Sequence, residues 1–408
     1  MITFNNVILL SGDDCWIDYG QREFYNITYI CNGGSITGPT AARPGETVTF
    51  STSVDSGWLL EYTVIDGNES SSNSFTMPAH DVIVYVFCKL DTDVDTVRFL
   101  FHGVTYDPTV SVPEEGWQGT WQRVSSSPNV WDYHCNRAEM WEFASTYSGG
   151  RLRGAPDFEI LGNNFDHMNM WGFFFGGAKN LVKVHYMSLH QDPTYSYVQT
   201  NMFQDCFNLK EAHVGCDSSV KHFESMFGYC IGLDTVTIAG ASNVMNVKDL
   251  FGYCNSLITA PSFNTTAVTS MHQMFNYCTA LVDVPEYNTA NVTDMESMFY
   301  NCCSLEEIPQ FNTHNVINFD SFCQQLGTDY GFPTPALKHV PLLDTSSATD
   351  VDHMFGGCKN VEGGALALYQ QMSSQANPPT AHYGAFGACG VNTTTGAAEL
   401  AQIPSDWK

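Results

Sequence analysis

The chain has 408 residues and sets 43 Asp and Glu against 16 Lys and Arg, which gives a formal net charge of −27. At roughly 150 residues per domain, this length predicts two or three domains with a sizeable core. Binding of nucleic acid needs clustered basic side chains, so the composition argues strongly against that function and against attraction to anionic membranes. Apolar residues make up 43% of the chain, which is too many for a disordered protein.

The opening stretch, MITFNNVILLSGDDCW, has no cationic segment, and its short apolar run ends at Asp13 and Asp14. This is not the pattern of a secretory signal peptide. No apolar run in the chain approaches the roughly 18 residues of a transmembrane helix. We therefore expect no insertion into a membrane and either synthesis in the cytosol or a signal that lies outside this chain.

Residues 25–90 predict a small all-β domain, Ig-like or β-sandwich-like, because short runs of alternating apolar residues are separated by turn signals. Tyr25, Ile27 and Tyr29 form one such run, and Asp66-Gly-Asn68 is one of the turns. This stretch is similar to the small β-rich repeat modules of bacterial surface adhesins. Residues 1–24 are expected to add a strand or to form an arm for attachment.

Residues 91–137 predict a linker followed by a Trp-rich N-terminal cap. The alternating Asp91, Asp93 and Asp95 suggest a calcium loop, but Thr96 and His102 occupy the glycine and final glutamate positions of an EF-hand. A solvated linker is therefore the preferred interpretation.

The tryptophans of this segment include Trp117, Trp121 and Trp131. Two interpretations stay open for them: a cap over the first repeat, or an aromatic platform that stacks on sugars. The cap is favoured because the apolar end of a repeat array must be covered.

A repeat of 24 residues dominates residues 138–358. Each regular period has a phenylalanine, a cysteine three residues later and a leucine three residues after that. The five periods place this structural core at Phe203, Cys206, Leu209, Phe227, Cys230, Leu233, Phe251, Cys254, Leu257, Phe275, Cys278, Leu281, Phe299, Cys302 and Leu305. Such register predicts a solenoid of stacked coils, since one coil cannot bury its apolar face alone.

Within one coil, Leu281, Val284 and Tyr287 predict the inward side of a strand, and residues 292–299 carry apolar side chains at the spacing of a short helix. The repeat pattern is interrupted downstream. Gln325 takes the place of a cysteine, and an insertion, GTDYGFPTPA, follows it. The fold class is therefore predicted as a β-rich repeat protein, a small all-β domain followed by coils of strand plus short helical turn.

The arrangement MF-x2-C-x2-L-x3-P…NT-x-NVT-x-M is clearest in MFNYCTALVDVPEYNTANVTDMESMFYNCCSLEEIPQFNTHNV. It resembles the BspA-like leucine-rich repeat family of bacterial surface proteins. Repeats of this type also occur in proteins encoded by gut bacteriophages, where they look like parts of host-recognition fibres. The resemblance covers about residues 138–358 and implies a leucine-rich-repeat solenoid. Residues 359–408, with one amphipathic helix before Pro378-Pro379, are similar to the closing segment of phage-encoded members and are expected to cap the array.

No motif of a catalytic, metal or cofactor site stands out. The regular cysteines occupy core positions, so we interpret them as buried, reduced thiols without a metal or catalytic role. Glu306-Glu307 could in principle serve a glycosidase, but a solvated face is the simpler interpretation. His185 and His213 take the place of the repeat's proline and are interpreted as positional variants. We therefore predict no enzyme, no cofactor and no metal.

What remains is the surface between the leucine and the next core residue of each coil. The pattern turns these side chains outward, and they vary while the frame stays fixed. We call the following set the candidate face: Glu211, Asp234, Thr235, Ile258, Thr259, Asp283, Glu306, Glu307, Lys338 and His339. An extended recognition surface needs such variation, although any solvated sheet face would also show it.

These features favour a non-enzymatic structural or recognition protein on a bacteriophage virion: a tail fibre, a head fibre or a decoration protein. Its expected partners are a host-surface glycan or protein at the repeats and other virion proteins at the N-terminal region, and a homo-oligomer is compatible. A missing signal peptide suits a particle that assembles in the cytoplasm and leaves by lysis. A bacterial cell-surface adhesin and a carbohydrate-degrading enzyme are the alternatives. The ligand, the oligomeric state and the position on the particle stay open.

Overall fold

The computed structural model describes residues 24–92, 95–109, 120–134, 152, 154–164, 175–190, 201–327 and 330–408, together with the backbone of 3–4 and 7–8. Most of the predicted arm at 1–24, Trp117 and the beginning of the predicted array at 138–151 lie outside these residues. The chain divides into two compact units, Met1–Asp91 and Thr92–Lys408.

The first unit consists of short strands. They are β1 (Thr3–Phe4), β2 (Val7–Ile8), β3 (Tyr25–Cys31), β4 (Gly34–Thr37), β5 (Ala41–Ala42), β6 (Thr47–Thr49), β7 (Ser51–Val54), β8 (Trp58–Ile65), β9 (Asn68–Ser70), β10 (Ser74–Thr76) and β11 (Val82–Leu90). Five of them form one sheet in the order β5-β3-β11-β8-β9, and the others pair as β1-β2, β4-β7 and β6-β10. Strands β3 and β11 run parallel, whereas β11 and β8 run antiparallel.

Alternation of side chains builds the core of this unit. Val82 and Val84 are buried, while Ile83 between them is 41% exposed. Ile27 and Phe50 lie in the same cluster as the two valines. Because successive side chains of a strand point to opposite faces, one face of the sheet carries this core.

The second unit begins with a seven-stranded sheet. Its strands are β12 (Thr96–Phe101), β13 (Thr120–Ser126), β14 (Asn129–His134), β15 (Phe158–Asn164), β16 (Leu181–Leu189), β17 (Glu211–Cys216) and β18 (Thr235–Ala239). Their order is β13-β14-β12-β15-β16-β17-β18. The pairs from β13 to β15 are antiparallel and those from β15 to β18 are parallel. The repeat array begins in this parallel part of the sheet.

The Trp-rich segment is an antiparallel extension of this sheet. Trp131 on β14 is buried, and Trp121 on β13 packs against the same continuous core as the repeats. The ring of Trp121 lies 5.5 Å from that of Phe99 and 4.9 Å from that of Tyr133. This packing favours the cap over the sugar platform for these two tryptophans.

After β18 the coils are joined by single parallel bridges instead of continuous strands. One row runs through His222, Asn246, Ser270, Asp294, Asn318, Asp350 and Ala381, and a second includes Thr259 with Asp283 and His339 with Gly363. Residues 201–327 contain no helix. The short helix predicted over 292–299 is replaced by turns, because Ser297 has a φ of 53°, in the left-handed region, and the N–H groups of Ser297 and Phe299 bond to the next coil.

Identical side chains form ladders inside the coils. The Phe227 and Phe251 rings stack with centroids 5.7 Å apart and planes 2° apart, and the same stacking runs from Phe175 to Phe299. Phe322 breaks the ladder by meeting Phe299 edge-on at 79°. The break falls in the coil that has Gln325 instead of cysteine.

The C-terminal stretch contains two helices, α1 (Ala365–Ser373) and α2 (Thr394–Leu400), and a final 3-10 turn at Ser405–Trp407. The ladder continues into this stretch, since Phe386 stacks on Phe355 at 6.4 Å and Cys389 is buried. Among the described residues, no helix has the length and apolar character needed to cross a membrane.

Candidate functional site

The candidate face is an in-register row along the outer side of the sheet and its continuation. Glu211 pairs with Thr235, and Thr259 pairs with Asp283. Nine of the ten side chains are exposed: Asp234, Thr235, Ile258, Thr259, Asp283, Glu306, Glu307, Lys338 and His339. Glu211 is half-buried. The structure therefore brings the predicted residues together as a connected surface.

The local cause of this exposure is visible in a single coil. Leu281 and Val284 are buried, and Val282 is 49% exposed between them. The backbone N–H groups of Val282 and Asp283 both bond to the carbonyl oxygen of Ile258 in the previous coil, at 2.8 and 3.1 Å. The N–H of Ala260 in the previous coil also donates to the carbonyl oxygen of Asp283 at 2.8 Å, so the backbone is fixed while the outward side chains take no part in the core.

A shallow depression lies in the middle of the candidate face. Its rim carries three carboxylates, Asp283, Glu306 and Glu307, and its floor includes Val284 and Ile308. Glu306 makes an ion pair with Lys338 of the next coil, and both side chains are about half exposed. This part of the face is acidic, with one of its charges compensated.

The N-terminal end of the candidate face is occupied by a polar network. Glu211 Oε2 lies 2.7 Å from Lys183 Nζ, and Glu211 Oε1 lies 2.8 Å from His213 Nε2. The other nitrogen of His213, Nδ1, is 3.1 Å from Thr237 Oγ1. Hydrogen bonding from His213 lowers the pKa of Glu211 to about 2, and burial lowers the pKa of His213. Glu211 is thus engaged by two partners, and its partial burial distinguishes it from the other residues of the candidate face.

A second cluster on the same sheet involves Glu159 of β15. Its two carboxylate oxygens contact His102 Nε2, at 2.8 Å, and His185 Nε2. Hydrogen bonding from His185 is the largest cause that lowers the pKa of Glu159. Sequence analysis missed this cluster because Glu159 precedes the regular repeats. The alternation of Lys183 and His185 along β16 was the available signal that both face outward.

The turn side of the coils carries a row of stacked tyrosines that sequence analysis also missed. The rings of Tyr229 and Tyr253 are 4.4 Å apart, and those of Tyr253 and Tyr277 are 4.5 Å apart. Each follows the repeat phenylalanine by two residues, so the signal was present in the sequence. The stacked rings cover each other's faces, which leaves edges and hydroxyl groups to meet solvent. Burial raises the pKa of Tyr253 to about 12, so its hydroxyl stays protonated.

One group of ligand-type side chains lies on this turn side. His272 Nδ1 is 3.5 Å from Glu296 Oε2 and 3.8 Å from Asp294 Oδ2. Glu296 Oε2 already accepts a hydrogen bond from Asn318 Nδ2 at 2.9 Å, and Asp294 Oδ2 accepts one from Ser270 Oγ at 3.4 Å. These contacts fit a hydrogen-bonded polar ladder between coils.

Comparison with known proteins places a family match inside the array. Residues 221–329 match the model of the family described as "Mycoplasma protein of unknown function, DUF285". This repeat family is related to the BspA-like surface proteins, so the match supports a surface repeat family for the array. No curated protein and no solved structure gives a significant match. The match does not extend to residues 25–90.

Proposed function

We propose that this protein is a non-enzymatic recognition protein whose array is a leucine-rich-repeat solenoid, displayed on the surface of a bacteriophage virion as a fibre or decoration protein. The observation that carries the proposal is the contrast between the constant buried residues of the repeat and the varied exposed residues of the candidate face. The ladder of phenylalanine, cysteine and leucine repeats with almost no change, whereas the exposed residues between them change in charge, size and polarity. A surface held rigid and varied in this way is suited to recognition.

The charge of the candidate face restricts its partner. Asp283 and Glu307 are exposed, and the chain as a whole carries a formal charge of −27. Like charges facing each other across an interface weaken binding and slow association. The proposed ligand is therefore a neutral host glycan or a protein surface with basic groups, and an acidic polysaccharide is disfavoured.

The proposed polarity has the first unit attached to other virion proteins and the array directed towards the host. Its support is the division of the chain at Asp91, which leaves a separate small β-unit available for docking. Deletion of residues 1–90 is expected to abolish incorporation into particles and to leave the array folded. Incorporation of the truncated protein would reverse the assignment.

The recognition face is tested by removing its charge without changing its shape. We propose the triple variant Asp283→Asn, Glu306→Gln and Glu307→Gln, measured by adsorption of particles to host cells. The matched control, Glu224→Gln with Glu296→Gln and Asp320→Asn, removes three charges from the turn side of the coils. Adsorption should fall for the triple variant alone, with normal particle assembly, since exposed charges contribute little to stability. Normal adsorption by the triple variant would remove this face from the proposal.

A bacterial cell-surface adhesin is the second candidate, and the match to a Mycoplasma family favours it. Antibody labelling distinguishes the two candidates. Labelling of virions would support the virion protein, and labelling of intact bacterial cells would support the adhesin. A carbohydrate-degrading enzyme is tested by incubation with polysaccharides and measurement of new reducing ends. Turnover that disappears with one carboxylate substitution would replace the recognition proposal.

A further inference from the structure

Two cysteines of the first unit lie side by side on neighbouring strands. Cys31 is the last residue of β3 and pairs with Val86 of the parallel strand β11. Cys88 follows Val86 by two residues, so its side chain lies on the same face of the sheet as that of Cys31. The side chains of Cys31 and Cys88 are therefore diagonal neighbours.

Asn32 fixes the backbone of this pair. Its Nδ2 donates to the carbonyl oxygen of Cys88 at 2.7 Å, and its Oδ1 accepts from the N–H of Cys88 at 2.9 Å. This two-point contact takes over from the strand pairing where β3 ends. It holds the residue next to Cys31 against the backbone of Cys88, so the backbones that carry the two thiols stay together.

The two thiols differ in access and acidity. Cys88 is buried, whereas Cys31 is partly exposed. A hydrogen bond between the side chains is the largest cause of both shifts: it lowers the pKa of Cys31 and raises that of Cys88. Cys31 is thus the thiol that reaches the thiolate form and meets a solute, which are the two requirements for thiol exchange.

The cysteines of the repeats provide an internal contrast. Cys323 and Cys358 also hydrogen-bond through their side chains, but both are buried. The Cys358 thiol donates to the carbonyl oxygen of Cys323 at 3.1 Å, and its pKa is raised well above the ordinary value. The two thiols lie close together in both pairs, but of these four cysteines only Cys31 is partly exposed to solvent.

We propose that Cys31 and Cys88 form a disulfide when the protein meets a small-molecule disulfide such as oxidised glutathione. The Cys31 thiolate attacks one sulfur of that molecule, releasing one reduced thiol and leaving a mixed disulfide on Cys31. The Cys88 thiol then loses its proton and attacks the Cys31 sulfur, which releases the second reduced thiol. Two protein thiols are oxidised, and one external disulfide is reduced.

The bond would link β3 to β11 across the middle of the five-stranded sheet. The linked residues are 57 positions apart (88 minus 31), so the crosslink removes many conformations from the unfolded chain. For a unit of this size, a typical disulfide raises the melting temperature by about 10 °C. The proposal does not depend on the recognition function, since it concerns only the first unit.

The test uses the full reduced chain, treated with oxidised glutathione, alkylated under denaturing conditions and digested for mass spectrometry. A peptide pair joined through Cys31 and Cys88 is expected, with the repeat cysteines alkylated. Cys31→Ser, at the partly exposed position, should abolish the crosslink and the rise in melting temperature. Cys88→Ser should instead trap a glutathione mixed disulfide on Cys31, and Cys323→Ser should change nothing.

Alkylation of both Cys31 and Cys88 after this treatment would overturn the proposal. Linkage of Cys31 to Cys15 or Cys135, which lie outside the described residues, would also overturn it. A bridge between Cys323 and Cys358 in place of the one between Cys31 and Cys88 would overturn it as well, because exposure would then not select the reactive pair.

Discussion

The thiol of Cys254 donates a hydrogen bond to the backbone carbonyl oxygen of Phe227 in the preceding coil, at 3.2 Å. The same bond recurs throughout the regular array. It joins Cys206 to Phe175, Cys230 to Phe203, Cys278 to Phe251 and Cys302 to Phe275, at 3.0 to 3.2 Å. A small side chain that is both apolar and a donor satisfies this buried position, which explains why the repeat retains cysteine there.

The first prediction removes this donor. Cys254→Ala should lower the free energy of unfolding by about 1–2 kcal/mol, because the buried carbonyl of Phe227 keeps its bond from the N–H of Cys230 but loses the one from the thiol, and a small void remains. Urea unfolding followed by circular dichroism measures the change. Ser262→Ala, at an exposed position near the same coil, is the control and should stay within about 0.5 kcal/mol. An equal effect in both variants would show that the thiol bond contributes nothing.

The second prediction concerns the phenylalanine ladder. The ring of Phe251 stacks between those of Phe227 and Phe275, at 5.7 and 5.6 Å. Phe251→Ala should destabilise the array by about 3–5 kcal/mol through loss of packing and formation of a cavity. Phe251→Leu keeps most of the volume and should cost less, about 1–2 kcal/mol, for the lost ring contacts. Equal losses in the two variants would show that ring stacking, and not volume, dominates.

The third prediction concerns a buried carboxyl group. Burial raises the pKa of Asp249 to about 6 from an ordinary 3.8, and Ser225 Oγ donates to its Oδ2 at 3.1 Å. The folded state therefore loses stability as pH rises from 3.8 through 6, because the buried group must ionise. Asp249→Asn keeps the acceptor and suits the positive φ of 51° at this position.

We expect Asp249→Asn to raise the free energy of unfolding at pH 7 by about 1–3 kcal/mol and to change it little at pH 4. Urea unfolding at both pH values checks this. Asp283→Asn, on the exposed candidate face, should be neutral at both. A variant that is no more stable than the wild type at pH 7 would contradict the assigned ionisation.

The fourth prediction concerns acid sensitivity of the network at the end of the candidate face. The pKa of His213 is below its ordinary 6.5, so stability falls once pH drops below 6.5 and the unfolded chain takes up the proton first. The pKa of Glu211 is about 2 against an ordinary 4.5, so its contribution is present above 4.5 and is lost between 4.5 and 2.

The difference in stability between wild type and His213→Gln should therefore shrink as pH falls from 7 to 5. For Glu211→Gln the difference should persist to pH 5 and shrink only below it. Thermal unfolding from pH 7 down to about pH 3 separates the two groups, since His213 acts above pH 5 and Glu211 below it. Parallel curves for both variants would show that neither group titrates differently in the folded protein.

The repeat frame could be predicted because equivalent residues at a fixed spacing must occupy equivalent positions. Leu281 and Val284 had to be core once the period was known, and Val282 and Asp283 between them had to point outward. The turns could not be predicted in this way. The spacing of residues 292–299 satisfies a helix, but the N–H groups of Met295, Ser297 and Phe299 bond to carbonyl oxygens of the next coil, and Ser297 has a left-handed backbone.

The cluster around Glu159 could not be predicted from the sequence, for a different reason. Glu159 and His185 meet because β15 and β16 are parallel neighbours in the sheet, and β15 lies before the regular period begins. Glu159 and His185 do not recur at the 24-residue spacing, so the repeat pattern could not predict their contact. Contacts between an irregular strand and the first coils depend on strand order, which the repeat alone does not determine.

The bonds from each cysteine to the carbonyl of the preceding coil have an evolutionary consequence. Each bond joins neighbouring coils and none closes within one coil, so the internal coils of the regular array make the same connections on both sides. Duplication or loss of a whole 24-residue unit would leave all remaining partners in place. The gene can therefore lengthen or shorten its array by unequal recombination without a compensating mutation, while substitutions at the exposed positions proceed independently.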